Sequence, residues 1–401
     1  MKHDVSAKNL VALARAAAVE SADYQQRFAA EDIEARKIVD IMEQFLRVKA
    51  RVVYGGAAIN AHLSPESKFY DPTLYLPDYD FLTPDPLQDC ADLIVAFQQE
   101  GFDEVEAKFG IHEGTYKVFV NFRAAADITY MPAEIYGRVI REAAMIDGIH
   151  YASVDFLRMN IYVELSRPAG NVGRWEKVYE RLLLLNAEHP MRAGRCSTTL
   201  TKKSNDKDHK RVIKAGTDAG AIFLGEPDES PVLLMSDKSE TLTAELIPTK
   251  IEAIGELLPA RTELRNKQGS LIAVVFETVA CHSYTTHPDA KNYRIGSLDL
   301  LIEIYYAMYF AEITEYKEGR LLCLIRDLID REHKSRVNAV AKGIPAHDVF
   351  PLDCLGHQPT MPELKKAHRD RVREKKKDLA GALQIRGSEG VGLRRSRKQR
   401  K

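Results

Sequence analysis

Between residues 30 and 49, apolar side chains recur at helical spacing, with Ile33, Val39, Met42, Phe45 and Leu46 on one side. That is the period of a helix that buries a single stripe. The pattern then shortens. Val52-Val53-Tyr54 is a three-residue apolar run closed by Gly55-Gly56, and Leu76 to Leu82 reads as a strand. Strand side chains alternate, so Asp78 and Asp80 share one face and Tyr79 takes the other. The stretch from Leu63 to Pro77, with Pro65, Pro72 and Pro77, reads as a surface connection that could line a substrate entrance. A helix is predicted over 87–100, ended by Gly101-Phe102. Strands follow over 103–111 and 115–122, turning at Gly114. Ala126 to Tyr130 alternates again and sets Asp127 opposite apolar Ile128. Helical patterning returns at Glu134–Glu142, Val154–Leu165 and Arg174–Asn186, with Arg158 and Glu164 as candidate ion-pair partners and Trp175 as a packing anchor.

The second half has a sheet-and-helix pattern of its own. Strand-like runs occur at 221–224, 232–235 and 271–279; residues 293–300 lead into an apolar helix through Phe310, and another helix spans 319–332. Tyr305, Tyr306, Tyr309 and Phe310 read as packing groups. Residues 200–216, with Lys202, Lys203, Lys207, Lys210, Arg211 and Lys214, read as a polar loop or a phosphate-backbone contact. Residues 1–29 form an Ala-rich extension, helical or loosely ordered. The organisation expected is an extension over 1–29, a catalytic domain over 30–190, a second α+β domain over 191–360 and a tail over 361–401.

Net charge is −1 but unevenly spread. From Lys365 to Lys401 there are 15 Lys/Arg and 4 Asp/Glu, which is +11, so the remainder carries −12. An acidic body with a basic tail follows. Lys365 to Lys377 reads as a helical extension and residues 387–401 as a disordered segment with salt-sensitive affinity for RNA. The five cysteines (Cys90, Cys196, Cys281, Cys323, Cys354) are scattered and lack C-x-x-C spacing. They argue against a disulfide framework or zinc site and for a reducing compartment. No signal-peptide core is seen, and the stretch nearest to a membrane span, Leu271 to Ala280, is broken by Glu277 and too short to cross a membrane.

The chemistry concentrates where the first-half strands carry acids. Two carboxylates on one strand face repel unless a cation lies between them, and oxygen ligands favour Mg²⁺ or Mn²⁺. If the Asp127 strand lies beside that of Asp78 and Asp80, three carboxylates converge. Such a set fits paired metals roughly 3.5–4 Å apart flanking an in-line phosphoryl displacement. Gly55-Gly56 permits close approach of phosphate to backbone N–H groups. Arg174, Lys177 and Arg181 fall on one helical face. They read as a solvated or salt-bridged face or as a contact with a triphosphate.

Gly55-Gly56, Asp78-Tyr79-Asp80 and Asp127 resemble the signature of the polymerase β-type nucleotidyltransferases. The strings Tyr54–Asn60, Pro77–Phe81, Asp155–Met159, Glu164–Pro168 and Arg174–Val178 more narrowly resemble the poly(A) polymerase catalytic subunits of large nucleocytoplasmic DNA viruses. The spacer from Ala57 to Pro77 exceeds the usual length, which suits those viral enzymes better than bacterial antibiotic-modifying members. The likeness covers about residues 30–190, and more loosely the chain to about 350.

The resemblance implies an α+β fold: a mixed nucleotidyltransferase sheet with flanking helices, then a second α+β module that is a degenerate copy of the first. It implies template-independent transfer of AMP from ATP to RNA 3′ ends, with Asp78 and Asp80 on two ions and Asp127 completing the one that activates the hydroxyl. Gly55, Gly56 and Lys177 would serve the triphosphate. Adenine as the base rests on the resemblance alone. RNA and ATP are the implied partners, with a homodimer or a processivity subunit, in the host cytoplasm or virion. Two other readings compete: a nucleotidyltransferase acting on tRNA, protein or a small molecule, and a silent RNA-binding scaffold. Retention of three mutually repelling acids argues against the scaffold.

Overall fold

The structure, a computed structural model, describes residues 7–70, 77, 79–191, 202–203, 206–242, 245–286, 293–313 and 318–374. Helix α1 (Ala7–Glu31) is followed at once by α2 (Ile33–Lys49). The Asp32 side chain accepts hydrogen bonds from the Glu34 and Ala35 amides to start α2, and Ala50 in a left-handed conformation ends it. α2 buries Ala35, Ile38, Ile41, Met42, Phe45 and Leu46. Ile33, placed on that stripe by periodicity, is exposed at the first position of the helix.

The first module continues through β1 (Val52–Tyr54), α3 (Gly55–His62), β2 (Tyr79–Thr83), α4 (Pro86–Gln99), β3 (Val105–Phe109), β4 (Thr115–Val120), β5 (Arg123–Tyr130), α5 (Ala133–Glu142), β6 (Ala144–Ile146), β7 (Ile149–Tyr151), α6 (Val154–Leu165) and α7 (Trp175–Glu188). Its seven strands lie in the order β3-β4-β5-β2-β1-β7-β6. The pairs β2/β5 and β1/β7 are parallel and the others antiparallel. Helices α2 and α4 pack against this sheet, and Val53, Phe81, Val118 and Ile128 are buried in the core. Residues alternating with these in the strands point the other way.

The second module comprises β8 (Lys202–Lys203), α8 (Lys207–Asp218), β9 (Ile222–Phe223), β10 (Glu229–Ser230), β11 (Val232–Ser236), β12 (Ile247–Ile251), β13 (Arg261–Arg265), β14 (Leu271–Glu277), β15 (His282–Thr286), β16 (Arg294–Gly296), α9 (Leu298–Phe310), α10 (Glu318–Lys342), α11 (Ala346–Val349) and β17 (Cys354–Leu355). β8 and β10 pair apart from the main sheet, which runs β12-β13-β14-β11-β9-β16-β15-β17.

Apart from β17, this order repeats that of the first sheet strand for strand. The directions repeat too: β11/β14 and β9/β16 are parallel and the rest antiparallel. The helix after each repeat also matches. Ser153 caps α6 through the Phe156 amide, and Ser297 caps α9 through the Leu300 amide. Both caps are followed by Asp at the second position and Tyr at the ninth, namely Asp155 with Tyr162 and Asp299 with Tyr306. α6 and α9 pack on each other, with Phe156 and Phe310 edge to face at 5.2 Å. The pairing crosses over: the Tyr306 hydroxyl donates to Asp155 at 2.9 Å, and Tyr162 lies within electrostatic reach of Asp299. One continuous apolar core therefore runs through both modules, from Leu46 and Phe81 to Tyr306 and Leu328. The chain is a mixed α+β protein built from two copies of one unit.

Three expectations are corrected. Cys281 and Cys354 form a disulfide, and Cys323 is disulfide-bonded as well. The linear spacing of Cys281 and Cys354 hides the contact, because β15 and β17 become neighbours only in the folded sheet. Arg158 pairs with Asp155 at 2.8 Å rather than with Glu164, which takes Arg174 at 3.0 Å. Residues 207–218 form α8, started by the Asp206 side chain and burying His209, Val212 and Gly216, not a loop. Trp175 is the expected anchor: its ring nitrogen donates to the Glu164 carbonyl at 3.1 Å, and its ring lies 5.8 Å from that of Phe350. The expected disorder of residues 387–401 lies outside the described residues.

Candidate active site

Strand register determines the centre of the site. Tyr54 on β1 is opposite Asp80 on β2, Asp80 is level with Asp127 on parallel β5, and Asp127 is level with Lys117 on β4. Four polar side chains thus form one row across the sheet face that α2 and α4 leave uncovered. Lys117 and Asp127 form an ion pair. The Tyr54 hydroxyl shares a 2.9 Å hydrogen bond with Thr129, two residues beyond Asp127 on the same face. Burial, reinforced by the charge of Asp80, raises the Tyr54 phenol well above its ordinary pKa. It remains a neutral hydrogen-bonding group at any physiological pH.

Gly55 and Gly56 form the first turn of α3 rather than a loop. Gly55 has φ +71°, and a Cβ added there would stand 2.7 Å from Asp80 Oδ2. The acid is packed directly against the glycine backbone. A Cβ at Gly56 would stand 3.0 Å from Arg181 Nη1. The N–H groups at the start of α3 and a guanidinium therefore converge beside the carboxylate row, an arrangement that suits a multiply charged anion.

Arg181 is built into place. It is 9% exposed, donates to the Tyr70 hydroxyl at 2.8 Å and lies 4.5 Å from the Phe69 ring centre. Asn60 on α3 holds that cover: its Oδ1 accepts from the Phe69 and Tyr70 amides at 3.0 Å each, and its amide donates to the Tyr70 carbonyl at 2.9 Å. Part of the connection read as a surface loop is thus a lid on a buried cation.

Of the residues singled out from the sequence, the structure brings Gly55, Gly56, Asp80 and Asp127 together. Asp78 lies outside the described residues. Lys177 is exposed on α7, one turn before Arg181, and both act electrostatically on Glu164. Arg181, not Lys177, is the cation beside Gly56. Sequence reasoning missed Lys117, Tyr54, Asn60, Phe69 and Tyr70 as site residues. Lys117 had a usable signal, since it alternates with buried Tyr116 and Val118. Among the described residues no cluster of three His, Cys, Asp or Glu could hold a metal ion.

The corresponding row of the second module has lost this chemistry. The Leu224 amide donates to the Leu233 carbonyl at 2.9 Å, Leu233 pairs with Val274, and Val274 with Glu263. Matched strand for strand, Leu233 and Val274 occupy the places of Asp80 and Asp127, and Gly225 the place of Gly55.

The chain resembles known proteins in sequence and in fold. Residues 40–171 match the family model described as "Poly(A) polymerase catalytic subunit". A protein of Acanthamoeba polyphaga mimivirus, provisionally assigned as a poly(A) polymerase catalytic subunit, is 35% identical over 162 residues, covering 39% of this chain and 27% of that protein. One of African swine fever virus (isolate Tick/Malawi/Lil 20-1/1983), with the same provisional assignment, is 24% identical over 204 residues, covering 49% of this chain and 42% of that protein. The matched stretch therefore spans less than half the length of either relative. The Megavirus polyadenylate synthase crystal structure shares the fold, with a TM-score of 0.76 and 22% identity over 94% of this chain and 85% of that one. The row of Tyr54, Asp80, Asp127 and Lys117, the α3 glycines and all of α6 fall inside the one segment, residues 40–171, that matches the model of the poly(A) polymerase catalytic-subunit family.

Proposed function

We propose that this chain is a polynucleotide adenylyltransferase that adds AMP from ATP to the 3′-hydroxyl of RNA without a template, releasing pyrophosphate. One observation carries the reading: Asp80 and Asp127 stand level on adjacent strands, beside a helix N-terminus and a buried arginine. Adenine as the base rests on the family of residues 40–171.

The donors suit divalent cations. Asp80 and Asp127 bring like charges together, and the Lys117 ammonium already answers Asp127. Their carboxylate oxygens fit Mg²⁺ or Mn²⁺. Asp78, Asp80 and Asp127 would hold two such ions. When bound, these supply Lewis-acid charge at the attacking hydroxyl and the leaving pyrophosphate. The chain's own groups do the rest. Asp127 takes the 3′-hydroxyl proton, oriented by Lys117. The Gly55 and Gly56 N–H groups and Arg181 bind phosphate oxygens, and Lys177 reaches the same anion from one turn earlier on α7. Phe69 and Tyr70 keep water from Arg181.

The proposed division is an extension over 1–29, a catalytic domain over 30–190, a second domain over 191–360 and a basic tail over 361–401. Pairing as a homodimer or with a processivity subunit is part of the proposal, as is action in the host cytoplasm or virion. No described helix is long and apolar enough to cross a membrane.

The decisive experiment incubates the protein with labelled RNA, Mg²⁺ or Mn²⁺ and each nucleotide separately. Long tails with ATP alone are expected; no extension with any nucleotide would end the reading. Two variants probe the anion site. Arg181→Lys keeps the charge but loses the fork that reaches both Tyr70 and the Gly56 turn, so KM for ATP is expected to rise about tenfold. Gly55→Ala puts an L side chain at positive φ, costing about 1–2 kcal/mol, and drives a methyl into Asp80. Tail synthesis should fall at least about tenfold, beyond what its melting temperature explains. Wild-type kinetics in either variant would count against this anion site.

A further inference from the structure

We propose that the helix over residues 361–374 forms a wall of the catalytic cleft and holds the phosphate backbone of single-stranded RNA along Lys365, Lys366, Arg369 and Arg373. The proposal rests on the RNA-extending reading above and adds where the polymer runs.

The helix is encoded locally. Thr360-Met361-Pro362-Glu363 is a capping box: the Glu363 carboxylate accepts from the Thr360 amide at 2.7 Å and from its hydroxyl at 2.8 Å. These hydrogen bonds hold the Glu363 carboxyl down to about 2, so the cap is intact throughout the neutral range.

One side of the helix is pinned to the catalytic sheet. The His368 ring donates from Nδ1 to the Gly110 carbonyl at 2.9 Å, and Arg371 donates to the Ile111 carbonyl at 2.8 Å. Residues 110–114 are the turn joining β3 to β4, and β4 carries Lys117, level with Asp127. At about 3.3 Å per strand residue, Gly114 lies roughly 10 Å from Lys117. The β12–β13 connection of the second module approaches the same place. Its Glu256 is within electrostatic reach of Arg371 and of Tyr54 in the catalytic row, and its Gly255 would set a Cβ 3.5 Å from Pro132.

The exposed side carries Lys365, Lys366, Arg369 and Arg373, with Asp370 and Glu374 along one margin. Lys365, Arg369 and Arg373 are four residues apart and Lys366 is three before Arg369, so the four form one stripe. A helix tethered to the catalytic hairpin by two polar side chains thus turns its cations outward at one end of the cleft. A polyanion whose 3′ end lies at Asp127 passes within their reach.

The test measures binding of labelled oligoadenylate by the full chain across a range of KCl, comparing wild type with Lys365→Gln/Lys366→Gln/Arg369→Gln/Arg373→Gln. Each single-strand phosphate contact contributes about 0.7 to the log–log salt slope, so four lost contacts should flatten it by up to about 3. Kd and KM for RNA should rise at least about tenfold, and KM for ATP should not move. His368→Ala, which keeps all four cations but removes one anchor, should weaken RNA binding by a smaller factor. Lys334→Gln/Lys342→Gln on α10 controls for loss of charge alone.

Wild-type Kd and slope in the quadruple variant would overturn the wall while RNA extension by the wild type still stood. Equal losses in the α10 variant, or poly-glutamate binding as tight as RNA, would overturn it too. Failure of the wild type to extend any RNA would instead strike the activity, leaving the wall to be judged on binding.

Discussion

Asp80→Ala is expected to lower RNA extension at least about 10³-fold while RNA still binds. Asp80 is the middle of the row, between Tyr54 and Asp127, with its carboxylate against the Gly55 backbone. Neither of its described neighbours in the row can replace it: Tyr54 is neutral and Asp127 is held by Lys117. Asp80→Asn separates charge from shape, since it fills the same space without the negative charge, and it should be as inactive as the alanine variant. Both should remain folded, with Asp80→Asn melting close to wild type because it keeps the side chain's shape and removes repulsion between two adjacent carboxylates. Tail-length gels, filter binding and a thermal melt on one preparation separate these effects. Full extension by either variant would remove Asp80 from the site.

The largest effect on stability is expected at Arg336. This guanidinium is buried, bonded to both oxygens of Asp299 at 2.8 and 2.7 Å, paired with Glu332 and stacked 3.8 Å from the Phe350 ring centre. Arg336→Met leaves two buried carboxylates without a cation and should destabilise the chain by about 3–5 kcal/mol. Burial already raises the Asp299 pKa against the pull of Arg336, and the variant removes that pull. A carboxyl whose folded pKa lies above its unfolded value stabilises below the unfolded pKa and loses that contribution as pH rises through the folded one. The defect should therefore be smaller at mildly acidic than at alkaline pH. Urea midpoints at two pH values read this directly, and a pH-independent defect would point to lost packing instead. Adding Asp299→Asn and Glu332→Gln should recover part of the loss.

The same triad shows why the second module persists without the row of acids. Asp299 begins α9 as Asp155 begins α6, and Tyr306 and Tyr162 cross between the helices toward the two acids. Leu233 and Val274 replace the acids in the sheet, while the helix that joins the modules keeps its pattern. In the second copy, the parts that pack are retained and the parts that would bind cations are gone.

From the sequence alone came what depends on neighbours in the chain. Alternation around Asp80 and Asp127 set them on strand faces, the Gly55-Gly56 bend followed an apolar run, and the α2, α4, α6 and α9 segments showed helical period. These signals survive because a helix or strand repeats every few residues. Tertiary structure alone decided which faces meet. Register brought Lys117 level with Asp127, put Arg181 rather than Lys177 beside Gly56, joined Cys281 to Cys354 and turned part of a proline-rich connection into a lid held by Asn60. It also laid out, strand for strand, the second copy that the family resemblance implied, where the chain itself shows almost no repeated string. Strand order is a property of pairing across long separations, and nothing in local spacing records it.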